Sequence, residues 1–376
     1  MARMTTLDVC IRGAGAVGLA LALALARQGL RVGVVAAAGG AALAPPARDD
    51  VRAYALNGAS RALLQSLRVW DALPADAVTP VDDMRVQGDA AGSALAFSAW
   101  HQNAEALAWI VDAAELDRAL AAAARFAPHL DWVDDERGAA LRVLAEGKAS
   151  PTRAALGVAL DRQGYGQTAL AARLVSDEPH AGVARQWFRA PDVLALLPLD
   201  RPQSGHGFGL VWSLPTALAD HWRDAPPAAF EQALAEATGG AAGTLRLCSE
   251  RAAWPLALAR AERWCGPGWV LVGDAAHVVH PLAGQGLNLG LADAAALARV
   301  LAAREPWRAL GDEVLLRRYV RERALPTAAM AWTTDGLWQL FAQQNPLVRE
   351  LRNRGLTLLN HLPPLKRLLT ARAMDT

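Results

Sequence analysis

Cysteine is scarce. Cys10, Cys248 and Cys265 are the only three in 376 residues, too few and too widely spaced for a disulfide framework or a zinc site, so a reducing cytoplasm suits the chain. No apolar run reaches the roughly 18 residues of a membrane span. The formal net charge is only +1, so no excess of basic side chains points to nucleic acid. There is no internal repeat, no serine elbow and no clustered metal-ligand spacing. What is plentiful is apolar: 53% hydrophobic against 20% charged residues predicts a globular chain with a large core. Leu19 to Ala26 resembles a signal-peptide core. It follows a glycine fingerprint, however, and Met1 to Arg3 carry one charged side chain, so it reads as a folded helix. The 13 Trp are scattered, and nothing in their spacing explains them.

The stretch from Trp269 to Ala294 organises the rest. Val270, Leu271 and Val272 suit a buried strand. Gly273 permits a turn where a Cβ would clash, which leaves Asp274 at the carboxyl edge where open α/β sheets bind ligands. Gly284, Gln285 and Gly286 leave amides free, and a helix continues from Leu287. A helix start preceded by glycines favours an anion, typically a diphosphate. An ordinary βα turn rarely combines Gly-Asp, Pro281 and three nearby glycines.

A second such unit opens the chain. Leu7 to Ile11 reads as a strand, Gly13-Ala14-Gly15-Ala16-Val17-Gly18 starts a helix stopped by Gly29, and Arg31 to Val35 is the next strand. In that context Gly13 supplies the tight turn, Gly15 the close approach to a pyrophosphate, and Gly18 close helix packing. The acid that should end the second strand and bind a ribose hydroxyl is absent: Ala36 stands there. Losing that bond weakens binding by roughly 1.5–3 kcal/mol. Arg12 is an unexpected residue for a buried strand.

Gly273-Asp274-Ala275-Ala276-His277, followed by His280-Pro281-Leu282-Ala283-Gly284-Gln285-Gly286-Leu287-Asn288, resembles the second FAD motif of flavoprotein aromatic hydroxylases, and most closely that of the ubiquinone-biosynthesis hydroxylases. Tyr165-Gly166-Gln167 resembles a signature of the same family. The resemblance runs over nearly the whole chain. It implies the class A flavoprotein monooxygenase fold: an α/β, Rossmann-type FAD-binding domain with an α+β insertion, formed by 1–78, 101–157 and 256–304. An antiparallel-sheet substrate domain, 79–100 and 158–255, and a C-terminal helical region, 305–376, complete it.

By resemblance, Asp274 hydrogen-bonds the ribitol of FAD, and Gly273, Pro281, Gly284, Gly286, Leu287 and Asn288 border it. Arg52, in Arg52-Ala53-Tyr54-Ala55-Leu56, is a cofactor or entry-loop contact or simply an exposed loop arginine. Two further family features are altered. Ala114 replaces the arginine expected before Glu115-Leu116, and Glu146 replaces an aspartate, after a shortened segment from Asp131. His277 and His280 suit packing and backbone hydrogen bonds better than proton transfer.

The implied chemistry is ring hydroxylation of a polyprenylated phenol with bound FAD, transient NAD(P)H and O₂, with no protein nucleophile. A Leu- and Arg-rich tail after Asn345 is compatible with peripheral contact at the inner membrane, and the family with a ubiquinone-biosynthesis protein complex. Two alternatives stay open. Ala36, Ala114 and Glu146 also suit a homologue with weakened or lost FAD binding that acts as a lipid-binding or assembly partner, and the fold also suits a hydroxylase of a soluble aromatic compound. The ring position, the choice between NADH and NADPH, the oligomeric state and any catalytic acid or base are not legible.

Overall fold

The structure is a computed structural model. It describes residues 6–36, 50–88, 94–136, 138–279 and 285–342, with side chains of 337, 338 and 340–342 left out. The expectations that rest on His280, Pro281, Gly284 and the tail after Asn345 lie outside the described residues.

The chain begins β1 (Val9–Arg12), α1 (Ala16–Arg27), β2 (Val32–Val35), β3 (Ala53–Leu56) and α2 (Gly58–Ser66). It continues with β4 (Val78–Val81), β5 (Asp83–Gln87), β6 (Ala94–Ser98), α3 (Ala99–Gln102), β7 (Ala108–Asp112) and α4 (Ala113–Phe126). Next come β8 (Leu130–Trp132), β9 (Leu141–Leu144), α5 (Pro151–Ala155), β10 (Leu160–Ser176), β11 (Val183–Arg189), β12 (Asp192–Leu199) and β13 (Gly207–Pro215). Then follow α6 (Thr216–Asp224), α7 (Pro227–Thr238), β14 (Leu245–Leu247), β15 (Ala252–Ala261), β16 (Cys265–Gly266) and β17 (Trp269–Leu271). The last elements are β18 (His277–Val278), α8 (Gln285–Ala302) and α9 (Glu313–Ala342).

Three sheets result. The first has the order β16-β17-β9-β1-β2-β8, with β17, β9, β1, β2 and β8 parallel. Val9 and Ile11 of β1, Val32 and Val34 of β2, and Val143 and Val270 are all buried, because helices pack on this sheet. Leu19, Leu21, Leu23 and Leu25 of α1 and Leu297 of α8 enter the same core. The second sheet runs β18-β15-β10-β13-β12-β11-β5-β6, with β14 beside β10. It is antiparallel apart from the β11–β5 pair, and Phe208, Leu210, Leu214 and Phe230 of α7 form its own core. The third is a three-stranded sheet, β3-β7-β4.

A buried ion pair links the second sheet to the small sheet. Arg173 of β10 donates to Asp112 Oδ2 at 3.1 Å and to the Arg52 carbonyl at 2.6 Å. Asp112 ends β7 and caps α4 by accepting from the Glu115 amide at 3.2 Å. Removing the carboxylate leaves a guanidinium buried without its counter-charge. Asp112→Asn is therefore expected to destabilise the protein by about 3–5 kcal/mol in urea unfolding. Asp112→Asn combined with Arg173→Leu should lose less than Asp112→Asn alone, and an equal or larger loss in the double variant would remove the pair from this account.

Candidate functional site

The two glycine motifs, more than 250 residues apart in sequence, meet in space. Gly13 has φ +112°, and a Cβ there would lie 2.3 Å from the Ala145 carbonyl oxygen at the end of β9. A Cβ at Gly18 would lie 2.1 Å from the Gly13 carbonyl oxygen. Gly290 of α8 has no room either: its Cβ would meet Val17 Cγ2 at 2.5 Å and Gly273 Cα at 3.5 Å. Gly273 itself has φ +59° and faces Val17. The strand end, the start of α1, the Gly273 turn and α8 thus pack against one another around Val17.

Gly15 is different. A Cβ there would meet nothing within 4 Å. It is the N-cap of α1, with no side-chain cap and no acid in the first turn. α8 also starts without an acid in its first turn, and Gly286 faces open space. The start of α1 therefore presents uncapped amides beside an open glycine, the arrangement that holds an anion, and α8 begins without an acid that would repel one. Leu287 is half-buried beside Gly286.

Asp274 lies in the single helical turn Gly273–Ala275 between them. Solvent reaches its side chain, yet surrounding protein raises its carboxyl above the usual range, with His277 and Lys148 only partly offsetting that burial. Tyr54 of β3 lies within electrostatic reach of Asp274. Its phenol is pushed up to about 12 by burial, Arg52 offsetting and Asp117, Asp50 and Asp274 adding to the shift. Arg52 stands over the Tyr54 ring at 5.7 Å and is gripped by Asp50, with Nη2–Oδ2 at 2.6 Å, while Asp117 is 3.7 Å away. A carboxylic acid, a phenol and a guanidinium thus stand within electrostatic reach of one another.

Asn288 is placed differently from the role expected of it. Its side chain is buried, accepts from the Asn57 amide at 3.1 Å and Ser60 Oγ at 2.7 Å, and donates to the Ala55 carbonyl at 2.8 Å. It fastens α8 to β3 and α2, which leaves only its main chain for a ligand. His277 differs too: its Nε2 is 2.6 Å from Asp293 Oδ2, a carboxylate rather than a backbone group. Asp293, fully buried in α8, also accepts from the Gly273 amide at 3.0 Å and from Arg323 Nε of α9 at 2.8 Å. Sequence reading missed this cluster, since an acid on an amphipathic helix and an arginine among Arg317, Arg318 and Arg321 read as solvated. The one local signal is that Asp293 falls on the same helical stripe as Leu289, Gly290, Leu297 and Val300.

Arg12 and Glu146 explain one another across 134 residues. Arg12 Nε donates to Glu146 Oε1 at 3.0 Å, and Glu146 also accepts from Ser150 Oγ, Thr152 Oγ1 and the Thr152 amide at 2.6, 2.8 and 3.1 Å. The longer carboxylate is engaged by protein at every oxygen. Arg153, buried beside it, donates to the Ala275 carbonyl at 2.9 Å and so touches the Asp274 turn. The Tyr165-Gly166-Gln167 signature proves equally structural. Tyr165 Oη donates to Asp335 Oδ1 of α9 at 3.0 Å, and Gln167 Nε2 to the Pro191 carbonyl at 2.7 Å.

These features fit FAD. Gly13 and Gly18 allow a tight cradle, the open side of Gly15 leaves space for a pyrophosphate, and Asp274 offers acceptors between the two helix starts. The ribose acid is missing: Ala36 at the end of β2 is an alanine with no substitute carboxylate in the strand. The geometry defines a dinucleotide-binding flavoprotein.

Comparison with known proteins agrees. The model of the FAD binding domain family matches residues 6–142 and 130–333. The ubiquinone hydroxylase UbiL of Rhodospirillum rubrum is 32% identical, the match covering 98% of this chain and 90% of that protein. The 3-demethoxyubiquinol 3-hydroxylase of Escherichia coli is 29% identical, with 96% of each covered. Among solved structures, PqsL of Pseudomonas aeruginosa, described as a probable FAD-dependent monooxygenase, superposes with a TM-score of 0.73. It is 24% identical and covers 94% of this chain and 100% of its own, a likeness of fold. The chain belongs to the FAD-dependent monooxygenase family.

Two measurements check the site. Gly15→Ala should leave the melting temperature of the apo-protein nearly unchanged and weaken FAD binding at least tenfold, whereas Gly18→Ala should lower both; equal effects on both properties in the two variants would contradict the cradle. Glu146 tests linkage. Burial alone raises its carboxyl, but hydrogen bonds from Ser150, Arg12 and Thr152 outweigh this and hold it below its usual range. A lowered folded-state pKa gives stability that is present above the unfolded value of about 4.3 and lost as pH falls through the folded one. Glu146→Gln should therefore be less stable at neutral pH and converge with the wild type below pH about 4; a constant difference at all pH values would contradict this.

Proposed function

We propose that this protein is an FAD-dependent hydroxylase of ubiquinone biosynthesis that hydroxylates the aromatic ring of a polyprenylated phenol with NAD(P)H and O₂. The observation that carries this reading is the end-to-end likeness to a ubiquinone hydroxylase, combined with the exposed Asp274 turn packed against α1 and α8 and the open space at Gly15 and Gly286. Bound FAD supplies the redox chemistry that accepts hydride and activates oxygen.

The chain's own residues hold, orient and desolvate. The amides at the start of α1, with Gly13, Gly15 and Gly18 clearing the approach, hold the pyrophosphate. Asp274 accepts from the ribitol hydroxyls. Gly273, Gly286, Leu287 and the main chain of Asn288 border the flavin, joined through the resemblance by Pro281 and Gly284. Arg52, over the Tyr54 ring and already paired with Asp50, is retained as a cofactor or entry-loop contact through the resemblance. The adenosine side is weaker, since Ala36 and Ala114 offer no charge and Glu146 is engaged by Arg12. The discontinuous domain division given by the sequence is retained in this reading. FAD titration of apo-protein should thus show tighter binding in Ala36→Glu than in the wild type, and unchanged or weaker binding would contradict the assignment of that position.

The prenyl chain requires an apolar route, and the described helices include none long and apolar enough to cross a membrane. Along α9, Val314, Leu325 and Trp332 are exposed on one stripe with Arg317 and Arg321, leading toward the Leu- and Arg-rich tail. Such a face suits peripheral contact with anionic lipid, where apolar insertion and attraction act together. Residence at the inner membrane and membership of a ubiquinone-biosynthesis complex belong to the same proposal. Co-sedimentation with anionic liposomes should fall with added salt and fall again when Leu325 and Trp332 are replaced by Ser; binding unaffected by both would remove α9 from the membrane argument. NAD(P)H oxidation should couple to hydroxylation of a prenylated phenol. Coupling only to a soluble hydroxybenzoate would favour the soluble-aromatic alternative.

A further inference from the structure

The buried Asp293 cluster lies directly behind the turn that carries Asp274. One carboxylate oxygen, Oδ2, serves both the Gly273 amide, one residue before Asp274, and His277, three residues after it. The other, Oδ1, takes Nε of Arg323, whose Nη2 also reaches the Leu289 carbonyl at 3.4 Å. The turn has little freedom of its own, because Gly273 sits at φ +59° against Val17 and its amide has this one acceptor among the contacts described.

We propose that Arg323, acting through Asp293, is a positioning residue for FAD: it sets the Gly273–Asp274 turn and so couples α9 to cofactor binding. The proposal rests on the FAD part of the reading above and is independent of the substrate.

The electrostatics agree with the geometry. Burial alone would raise the Asp293 carboxyl, but His277 and Arg323 outweigh it and hold the group ionised. Removing the guanidinium favours a protonated acid, whose neutral oxygen is a weaker acceptor for the Gly273 amide and His277 than the carboxylate is. The hold on the turn that carries Asp274 is then loosened. α9 is anchored twice more. Tyr319 Oη donates to the Leu271 carbonyl of β17 at 3.1 Å, and Asp335 accepts from Tyr165 of the second sheet. Arg323 and Asp335 lie twelve steps apart on α9, roughly 18 Å of helix with Pro326 between them, so one continuous element ties the cofactor turn to the second sheet. By linkage, cofactor binding must act back on α9 as strongly as α9 acts on it.

The test is FAD titration of apo-protein, followed by flavin fluorescence and by the visible circular dichroism of the bound flavin. Arg323→Met is expected to weaken FAD binding at least tenfold and to alter the dichroism of what binds, while Arg323→Lys recovers most of both. In the wild type, FAD should slow amide hydrogen exchange over residues 319–330. Wild-type FAD affinity and dichroism in a folded Arg323→Met, with only its melting temperature lowered, would overturn the proposal, since the contact would then merely pack α9. If Arg323→Met does not fold, His277→Gln decides, because it removes a second partner of Asp293: weakened FAD binding supports the proposal, and unchanged binding in the folded variant overturns it.

Discussion

The site depends on a junction with no room for side chains. Where β1, the Gly273 turn and α8 converge on Val17, a Cβ at Gly13, Gly18 or Gly290 would press into a backbone oxygen or a valine methyl at 2.1–2.5 Å. Backbones that approach this closely bring two helix starts and one strand end to a common edge. No single one of those elements makes a dinucleotide site, and the convergence does. Gly15, open on its outer side, shows the same economy used for a ligand rather than for packing. The rest of the fold follows: the parallel sheet carries this edge, and α9 is tied to it through Asp293 of α8 and the Leu271 carbonyl of β17.

Much of this was legible because it is local chemistry. A turn that needs positive φ declares itself as glycine, and an apolar run bounded by glycine declares a buried strand, so the strands, α1 and the helix after Gly286 fall where the sequence puts them. The α4 helix is equally plain from its Asp112 cap and its alanine- and leucine-rich run. What could not be read is pairing across sequence. Arg12 looked misplaced until Glu146, 134 residues away, was seen to engage it. Asn288 resembles a cofactor contact, yet its side chain fastens α8 to Asn57 and Ser60. Asp293 and Arg323 have ordinary helical spacing, and only burial distinguishes them from solvated neighbours. Tyr165, part of a family signature, binds Asp335 of α9, 170 residues away.

These long-range pairs divide the labour. The glycines allow the close approach, whereas buried and half-buried ionic groups fix its orientation: Arg12–Glu146 between the ends of β1 and β9, His277–Asp293–Arg323 behind the Asp274 turn, and Arg173–Asp112 between the sheets. Buried pairs contribute little net stability when intact and a large penalty when half is removed. They therefore suit a role in specifying one geometry. A cofactor that carries its own reactivity needs that precision more than it needs catalytic side chains.

The central claim is that this geometry delivers oxygen to an aromatic ring, and the most direct measurement is the fate of the oxygen atoms. FAD-loaded protein, supplied with NAD(P)H and a prenylated phenol under oxygen-18 gas, should give a hydroxylated product whose new hydroxyl carries the label. A product labelled only from solvent water, or NAD(P)H oxidation that yields hydrogen peroxide and leaves every phenol offered unchanged, would contradict the account.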